Sequence, residues 1–178
     1  MGSVCSSTLV TGSGLVPVPV SADIMQSVLK DKESAPNFIP HLVSVEFIKR
    51  GDACGRGAVY REIRIYRGRK YTFYGTVTNV QNNPFSMAVS LDNKEAKAWD
   101  NRDAAETHTI IVQPSDDDDN SCTIVWSYAF VSAGFWGTIL STLCRRRFKQ
   151  GMQDHLNEEF ECCAAEGVRR AEQKSVAK

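Results

Sequence analysis

Apolar and polar residues alternate along several stretches of the chain, with the two-residue period of strands that bury one face. Residues 122–131 show this most clearly, because every second residue from Cys122 to Phe130 is apolar, with Thr123 and Ser127 between them. Short polar connections separate the stretches, which favours an antiparallel meander over parallel β-α-β units. The predicted strands cover residues 9–19, 42–50, 58–66, 70–80, 85–91, 106–114 and 122–131.

The same alternation assigns a buried face to the last five predicted strands. Arg61 falls on this face, either as an inward anchor for an anion or because the face is wrongly assigned in that strand. Glu62 falls on the opposite face and is predicted to point outward. The residues predicted to point inward are Val59, Ile63, Ile65, Tyr71, Phe73, Val77, Met87, Val89, Leu91, His108, Ile110, Val112, Cys122, Ile124, Trp126, Tyr128 and Phe130.

Two short helices are predicted between the first two strands, and one long helix follows the last strand. Ser21 is a good N-cap for the first short helix, and Pro36 and Pro40 bound the second. Residues 135–165 contain no proline, and an apolar residue recurs there at every fourth position, which keeps the row on one side of an α-helix. The row consists of Leu140, Cys144, Phe148, Met152, Leu156 and Phe160.

At 178 residues the chain has the size of one domain. Its 21 basic residues are balanced by 21 acidic ones, which argues against a dedicated nucleic-acid-binding protein. The acidic run from Asp116 to Asp119 is interpreted as a solvated loop tip, because adjacent carboxylates without spacing do not converge on a metal ion. We therefore predict no nucleic-acid partner, no metal and no cofactor.

The six cysteines show no C-x-x-C pair and no zinc-ligand spacing with the three histidines. No apolar segment of the signal-peptide type follows the start, and no apolar run is long enough to span a bilayer. We therefore expect reduced thiols and a cytoplasmic protein.

The first residues, MGSVCSST, fit the pattern M-G-x-x-x-[ST] for N-myristoylation, with Gly2 as the acceptor and Ser6 at the required position. A myristoyl chain alone binds membranes only marginally, so palmitate on Cys5 would be the second anchor. This pattern predicts membrane association through the N-terminus. The alternative is an unmodified start or a remnant of cloning, for which Met-Gly-Ser is common.

The order of elements resembles the helix-grip fold of the START/birch-pollen-allergen-like (SRPBCC) superfamily. Two segments resemble its polyketide cyclase/dehydrase and lipid-transport-like branch: NFIPHLVSVEFIKRGDACGRGAVYREI and SCTIVWSYAFVSAGFWGTIL. The resemblance implies an α+β domain over residues 9–166, in which a curved antiparallel sheet of six to seven strands wraps around the long C-terminal helix. Flexible tails are expected at residues 1–8 and 167–178. Cys122 departs from the family, which has threonine near the start of the last strand.

The resemblance also implies a cavity between the sheet and the long helix that binds a hydrophobic small molecule, such as a lipid or a polyketide. Gly134 and Gly137 would let an aromatic loop bend over its entrance. The alternative is that the same side chains fill the space as a solid core. The implied ligand-binding residues are Ile63, Tyr71, Phe73, Met87, Val89, His108, Ile110, Trp126, Tyr128, Phe130, Phe135, Trp136, Leu140, Phe148 and Met152.

Three functions remain open, because this superfamily contains cyclases and dehydratases as well as carriers without catalytic activity. Non-catalytic binding or transfer is favoured, since no pair of polar residues has a spacing that demands catalysis and His108 is the one weak catalytic candidate. A membrane-peripheral interaction module would instead use basic residues 56–70 and 144–149 against anionic lipids. The oligomeric state is not determined by the sequence. The polar residues considered for the cavity interior are Arg61, Glu62, His108, Tyr128 and His155.

Overall fold

The computed structural model describes residues 8–66, 68–92, 105–132 and 145–176, which form one antiparallel sheet and the helices around it. The strands are β1 (Thr8–Val18), β2 (Leu42–Lys49), β3 (Val59–Tyr66), β4 (Arg69–Asn82), β5 (Phe85–Asp92), β6 (Ala105–Pro114) and β7 (Cys122–Ser132). The helices are α1 (Ala22–Lys30), a short 3₁₀ helix (Ala35–Asn37) and α2 (Arg145–Val176).

The seven strands lie in the order β1-β7-β6-β5-β4-β3-β2, and every neighbouring pair is antiparallel. Strands β2 to β7 therefore form the predicted meander, and β1 pairs with β7 at one edge. Register shifts between Phe47 and Lys49 and between Val77 and Asn79 mark irregularities of the bulge type, which bend the strands. The predicted helix-grip fold, with a curved sheet and a long C-terminal helix, is confirmed.

The hydrophobic core lies between the sheet and α2. Trp126 of β7 is 1% exposed, and its ring stacks on Phe160 of α2 with 6.1 Å between ring centroids. Leu156 and Phe160 belong to the apolar row predicted for this helix and are both buried, while Phe148 and Met152 are partly buried against the core. Burial of this row is what holds α2 on the sheet.

The last turns of α2 pack closely on α1. A Cβ atom at Gly167 would lie 3.3 Å from both the Met25 sulfur and a Val20 methyl group, so glycine permits this approach of the two helices. Arg170 also donates a hydrogen bond to Asp31 over 2.7 Å. Helix α2 thus continues past residue 167, where the flexible tail is predicted to begin, as far as Val176.

The face of β3 that the sequence predicts to be buried is the wrong one. Tyr60, Glu62 and Arg64 point inward and are 1%, 3% and 8% exposed, whereas Ile65 is 40% exposed. Ile63, the predicted ligand-binding residue of β3, has the same parity as Ile65 and shares its outer face. Glu62 does not face outward as predicted, because the buried carboxylate is paired with Arg64. Arg61 is not the inward residue, and its guanidinium pairs with Glu46 at 2.5 Å.

Several predictions fall outside the described residues, among them the acylation of Gly2 and Cys5. The aromatic loop and the first turns of the predicted long helix, with Gly134, Phe135, Trp136, Gly137, Leu140 and Cys144, also lie there. Within the described ranges, no helix is both long and apolar enough to cross a bilayer. The same ranges contain no group of three metal-ligating side chains, and their cysteines are free thiols.

Candidate ligand-binding cavity

A cavity of about 430 Å³ lies between the inner face of the sheet and the N-terminal half of α2. Its volume falls within the roughly 300–1,000 Å³ of small-molecule sites. Strands β3 to β7 supply one wall and helix α2 the other. The described residues that line it are His41, Arg64, Tyr66, Phe73, Leu91, Glu106, His108, Phe130, Phe148, Gly151, Met152, His155, Glu158 and Glu159.

Apolar side chains form one part of the cavity wall. Phe130 of β7 and Phe148 of α2 face each other with ring centroids 5.1 Å apart. Phe73, Leu91 and Met152 complete the apolar part of the lining. An apolar chain or ring placed here would leave water for a hydrophobic surface, which is the main favourable term in binding such molecules.

A buried ionic network forms the polar end of the cavity and joins β3 to α2. The Nε of Arg64 donates to Glu62 over 2.9 Å. Its two Nη atoms donate to the two carboxylate oxygens of Glu159 over 2.7 and 3.3 Å, a bidentate contact. The three side chains are 10%, 4% and 14% exposed, so the network is largely removed from water.

The charges of this network stabilise each other. Burial alone would raise the pKa of Glu159, but the positive charge and hydrogen bonds of Arg64 outweigh it and hold this pKa at about 2. Burial would likewise lower the pKa of Arg64, and the charges of Glu159 and Glu62 instead raise it well above its usual value. Arg64 therefore carries a permanent positive charge that already has two carboxylate partners.

Two histidines add hydrogen-bonding groups beside the network. The Tyr66 hydroxyl lies 2.9 Å from Nε2 of His155, and burial lowers the pKa of this imidazole. His155 is consequently neutral at pH 7 and can donate or accept a hydrogen bond. On β6, Nε2 of His108 lies 2.6 Å from a carboxylate oxygen of Glu106.

Five of the predicted ligand-binding residues line this cavity: Phe73, His108, Phe130, Phe148 and Met152. His155, considered as an interior polar group, lines it as well. Their contact with a ligand remains a prediction.

The other described candidates lie elsewhere. Trp126 and Tyr128 are 1% and 3% exposed and stack on each other in the core, with ring centroids 6.3 Å apart. Val89 and Ile110 border a void of about 40 Å³ beside the cavity, and Met87 lines a separate groove. Tyr71 is 37% exposed, with its ring centroid 6.0 Å from that of Tyr66.

Sequence reasoning missed the residues that form the polar end: Arg64, Tyr66, Glu106 and Glu159. A signal for two of them was present, since Tyr60, Glu62, Arg64 and Tyr66 alternate along β3 as strictly as the aliphatic residues between them. The pattern favours the aliphatic set as the buried one, because apolar residues are normally the buried ones. The pairing of Arg64 with Glu159 spans 95 positions and only the fold brings them together.

No family model matches the chain, and no curated protein matches its sequence. Solved structures are similar to it over most of its length. The Zhui aromatase/cyclase from Streptomyces sp. R1128 has 16% identity and a TM-score of 0.73, covering 92% of this chain and 96% of its own. Norcoclaurine synthase from Thalictrum flavum, in complex with dopamine and hydroxybenzaldehyde, has 15% identity and a TM-score of 0.69, covering 95% and 93%.

A third similar structure is Ara h 8.0201, with 15% identity, a TM-score of 0.63 and coverage of 91% of this chain and 99% of its own. At such identities the likeness concerns the fold and not the chemistry of the site.

Proposed function

We propose that this chain, which has the helix-grip fold of the SRPBCC/Bet v 1-like superfamily, binds or transfers a hydrophobic small molecule without transforming it. The observation that carries the proposal is the cavity of about 430 Å³ with an apolar wall and a polar end. A norcoclaurine synthase of the same fold is in complex with two small aromatic molecules, which supports a small-molecule ligand here.

The charges of the cavity favour a ligand whose polar end is neutral or cationic. Glu106, Glu158 and Glu159 line it against one arginine. Arg64 donates its Nε to Glu62 and its Nη atoms to Glu159, so most of its five N–H groups are already used. An anionic head group would therefore meet an excess of negative charge in a partly desolvated space, which disfavours its binding.

Gly151 of α2 offers a way to close the cavity without a clash, because a Cβ atom there would meet nothing within 4 Å. We expect Gly151→Phe to fill the cavity and abolish binding of decanol measured by isothermal titration calorimetry. Gly151→Ala is the matched control, expected to keep binding and to stabilise the helix by about 0.5–1 kcal/mol. Unchanged decanol binding in Gly151→Phe would place the ligand elsewhere and contradict the proposal.

Isothermal titration calorimetry with probes of equal chain length tests which head group the cavity prefers. For the binding that Gly151→Phe abolishes, which is binding to the cavity, decylamine is expected to bind at least about tenfold more tightly than decanoate, a difference of about 1.4 kcal/mol. Glu106→Gln should reduce this preference by removing one lining carboxylate. A cavity that binds decanoate as well as decylamine would show that Arg64 is available to anions.

A second function, a cyclase/dehydratase-like enzyme, is favoured by the Tyr66–His155 pair, since a neutral imidazole beside a hydroxyl can act as a general base. If the chain is an enzyme, His155→Asn is expected to lower turnover of a linear polyketide by about 10²–10⁴-fold while leaving its binding intact. Mass spectrometry of the products checks this, with His108→Ala as the comparison. Recovery of unchanged polyketide from the wild-type protein would favour the non-catalytic function.

A further inference from the structure

A second concave surface lies apart from the cavity, between the end of α1, the turn that joins β2 to β3, and the strands β4 and β5. Its volume is about 330 Å³, and none of its described lining residues also lines the cavity. We call it the basic groove after three of the residues that line it, Lys30, Lys32 and Arg50.

The floor of the basic groove is apolar. Val77, Phe85 and Met87 contribute to it and are only 3–5% exposed, and Phe47 and Val80 are partly buried beside them. The apolar atoms therefore lie at the bottom of a concave site and do not protrude. A bilayer surface could not reach them, whereas a short apolar chain could.

The three cations are held over aromatic rings of the molecule. Nζ of Lys30 lies 5.4 Å from the ring centroid of Phe85, and the guanidinium carbon of Arg50 lies 5.2 Å from that of Phe47. The Lys32 ammonium is likewise 5.8 Å from the ring centroid of Tyr60. Cation–π contacts of this kind keep a charge near an apolar surface while leaving its N–H groups able to donate.

The carboxylates near the groove are fewer than its cations and already have partners, among them Arg56, whose Nε lies 3.4 Å from Oδ2 of Asp52. Asp52 is the carboxylate among the described lining residues, and one of its oxygens accepts hydrogen bonds from the backbone N–H groups of Cys54 and Arg56, both at 3.0 Å. Glu33 pairs with Arg50, but the two side chains are 56% and 74% exposed. Exposed pairs of this kind contribute little and are readily exchanged for another anion.

The wall of the groove that carries Asp52 is already ordered by its own hydrogen bonds. The N–H of Gly55 donates to the Asp52 carbonyl over 2.8 Å, and the N–H of Asp52 donates to the Arg56 carbonyl over 2.9 Å. Gly55 adopts a φ of 93°, which other residues rarely adopt, so the sequence is adapted to this turn. A preformed wall reduces the ordering cost of binding.

We infer that the basic groove binds a small anionic amphiphile from solution, a carboxylate on a short apolar chain, at a site separate from the cavity. The chain lies on the floor formed by Val77, Phe85 and Met87. The carboxylate is bound by Lys32 and Arg50, and Lys30 adds a third positive charge. The two sites thus have opposite charge preferences, since carboxylates predominate in the cavity and cations in the groove.

Cys54 provides a direct readout, because it lines the groove and its thiol is free and exposed. Its alkylation by iodoacetamide is followed by mass spectrometry of the peptide that contains it, with decanoate, decanol or decylamine present. Decanoate at tenfold its Kd is expected to slow this reaction by about tenfold through occupancy of the groove. Decanol and decylamine are expected to leave the rate nearly unchanged.

Charge-removing variants test the head-group contacts. Lys32→Gln and Arg50→Gln are each expected to raise the Kd for decanoate by about tenfold, because each removes hydrogen bonds to a charged group. Lys70→Gln is the matched control, since Lys70 is an exposed cation on β4 that does not line the groove. Protection of Cys54 should also persist in Gly151→Phe, in which the cavity is closed.

Equal protection by decanol and decanoate, or unchanged affinity in Lys32→Gln and Arg50→Gln, would overturn the inference. Protection by phosphatidylglycerol vesicles without protection by decanoate would overturn it too, in favour of a membrane surface. Failure of the cavity to bind decanol, with decanoate still protecting Cys54, would reject the proposed function and leave this site standing.

Discussion

Replacing Arg64 by methionine is expected to lower the free energy of unfolding by about 3–5 kcal/mol, the cost of removing one partner from a buried ion pair. Glu62 and Glu159 would then be two buried carboxylates that have lost their arginine partner. Urea unfolding followed by circular dichroism measures the change. Arg61→Met is the matched control on the same strand, because its exposed pair with Glu46 contributes about 1 kcal/mol or less.

The pH dependence of stability provides a second readout of the same network. The pKa of Glu159 is about 2 in the folded protein, below its usual value of 4.5, so its contribution is present above pH 4.5 and is lost as the pH falls toward 2. In Arg64→Met this contribution is absent, and the pKa of Glu159 is expected to rise. Two results would show that the network does not hold α2 to β3. One is an Arg64→Met variant as stable in acid as the wild type, and the other is a fall in its free energy of unfolding of less than about 1 kcal/mol.

Replacing Trp126 by alanine is expected to cost about 3–5 kcal/mol, because it removes a fully buried indole and leaves a cavity in the core. The indole stacks between Tyr128 and Phe160, with centroids at 6.3 and 6.1 Å. The ring also lies directly on β1, where a Cβ atom at Gly14 would overlap it. Urea unfolding followed by circular dichroism measures the loss in the free energy of unfolding and does not rely on tryptophan fluorescence.

The variant Trp126→Phe separates the contribution of the aromatic ring to stability from that of the indole N–H group. Nε1 of Trp126 is buried and has no hydrogen-bond partner among the described residues. A phenylalanine keeps most of the stacking and removes this unpaired donor, whose burial costs about 1–3 kcal/mol. We therefore expect Trp126→Phe to lose less than half of what Trp126→Ala loses. Equal losses in the two variants would mean that an unseen hydrogen bond of Nε1, not the ring, dominates.

The sequence predicts residues of the apolar wall of the cavity, but not the ionic network at its polar end. The alternation in β4, β6 and β7 correctly placed Phe73, His108 and Phe130 on the inner face, because each of these strands exposes one side to water and buries the other. The four-residue row of α2 likewise placed Phe148 and Met152 on the side that faces the sheet. All five residues line the cavity.

The alternation of apolar and polar residues could not show which aromatic side chains fill the core and which line the cavity. Trp126 and Tyr128 lie on the same face as Phe130, but Trp126 is a core residue because Phe160 of α2 lies opposite it, close enough to stack, and Tyr128 stacks on Trp126. Nearer the start of α2, the helix and the sheet leave the cavity between them. The difference depends on the distance between α2 and the sheet at each level, which no local pattern encodes.

The strands, the helices, their order and the buried faces of most of them can be predicted from the sequence, because they follow from local periodicity and from turn residues. The buried face of β3 depends instead on contacts that form only in the folded protein. With Glu62 and Arg64 of β3 on the inner face, the arginine is paired there by Glu159 of α2, which completes the ion network. Such pairing of buried charges depends on contacts between residues distant in the chain, so it is decided when the helix packs on the sheet.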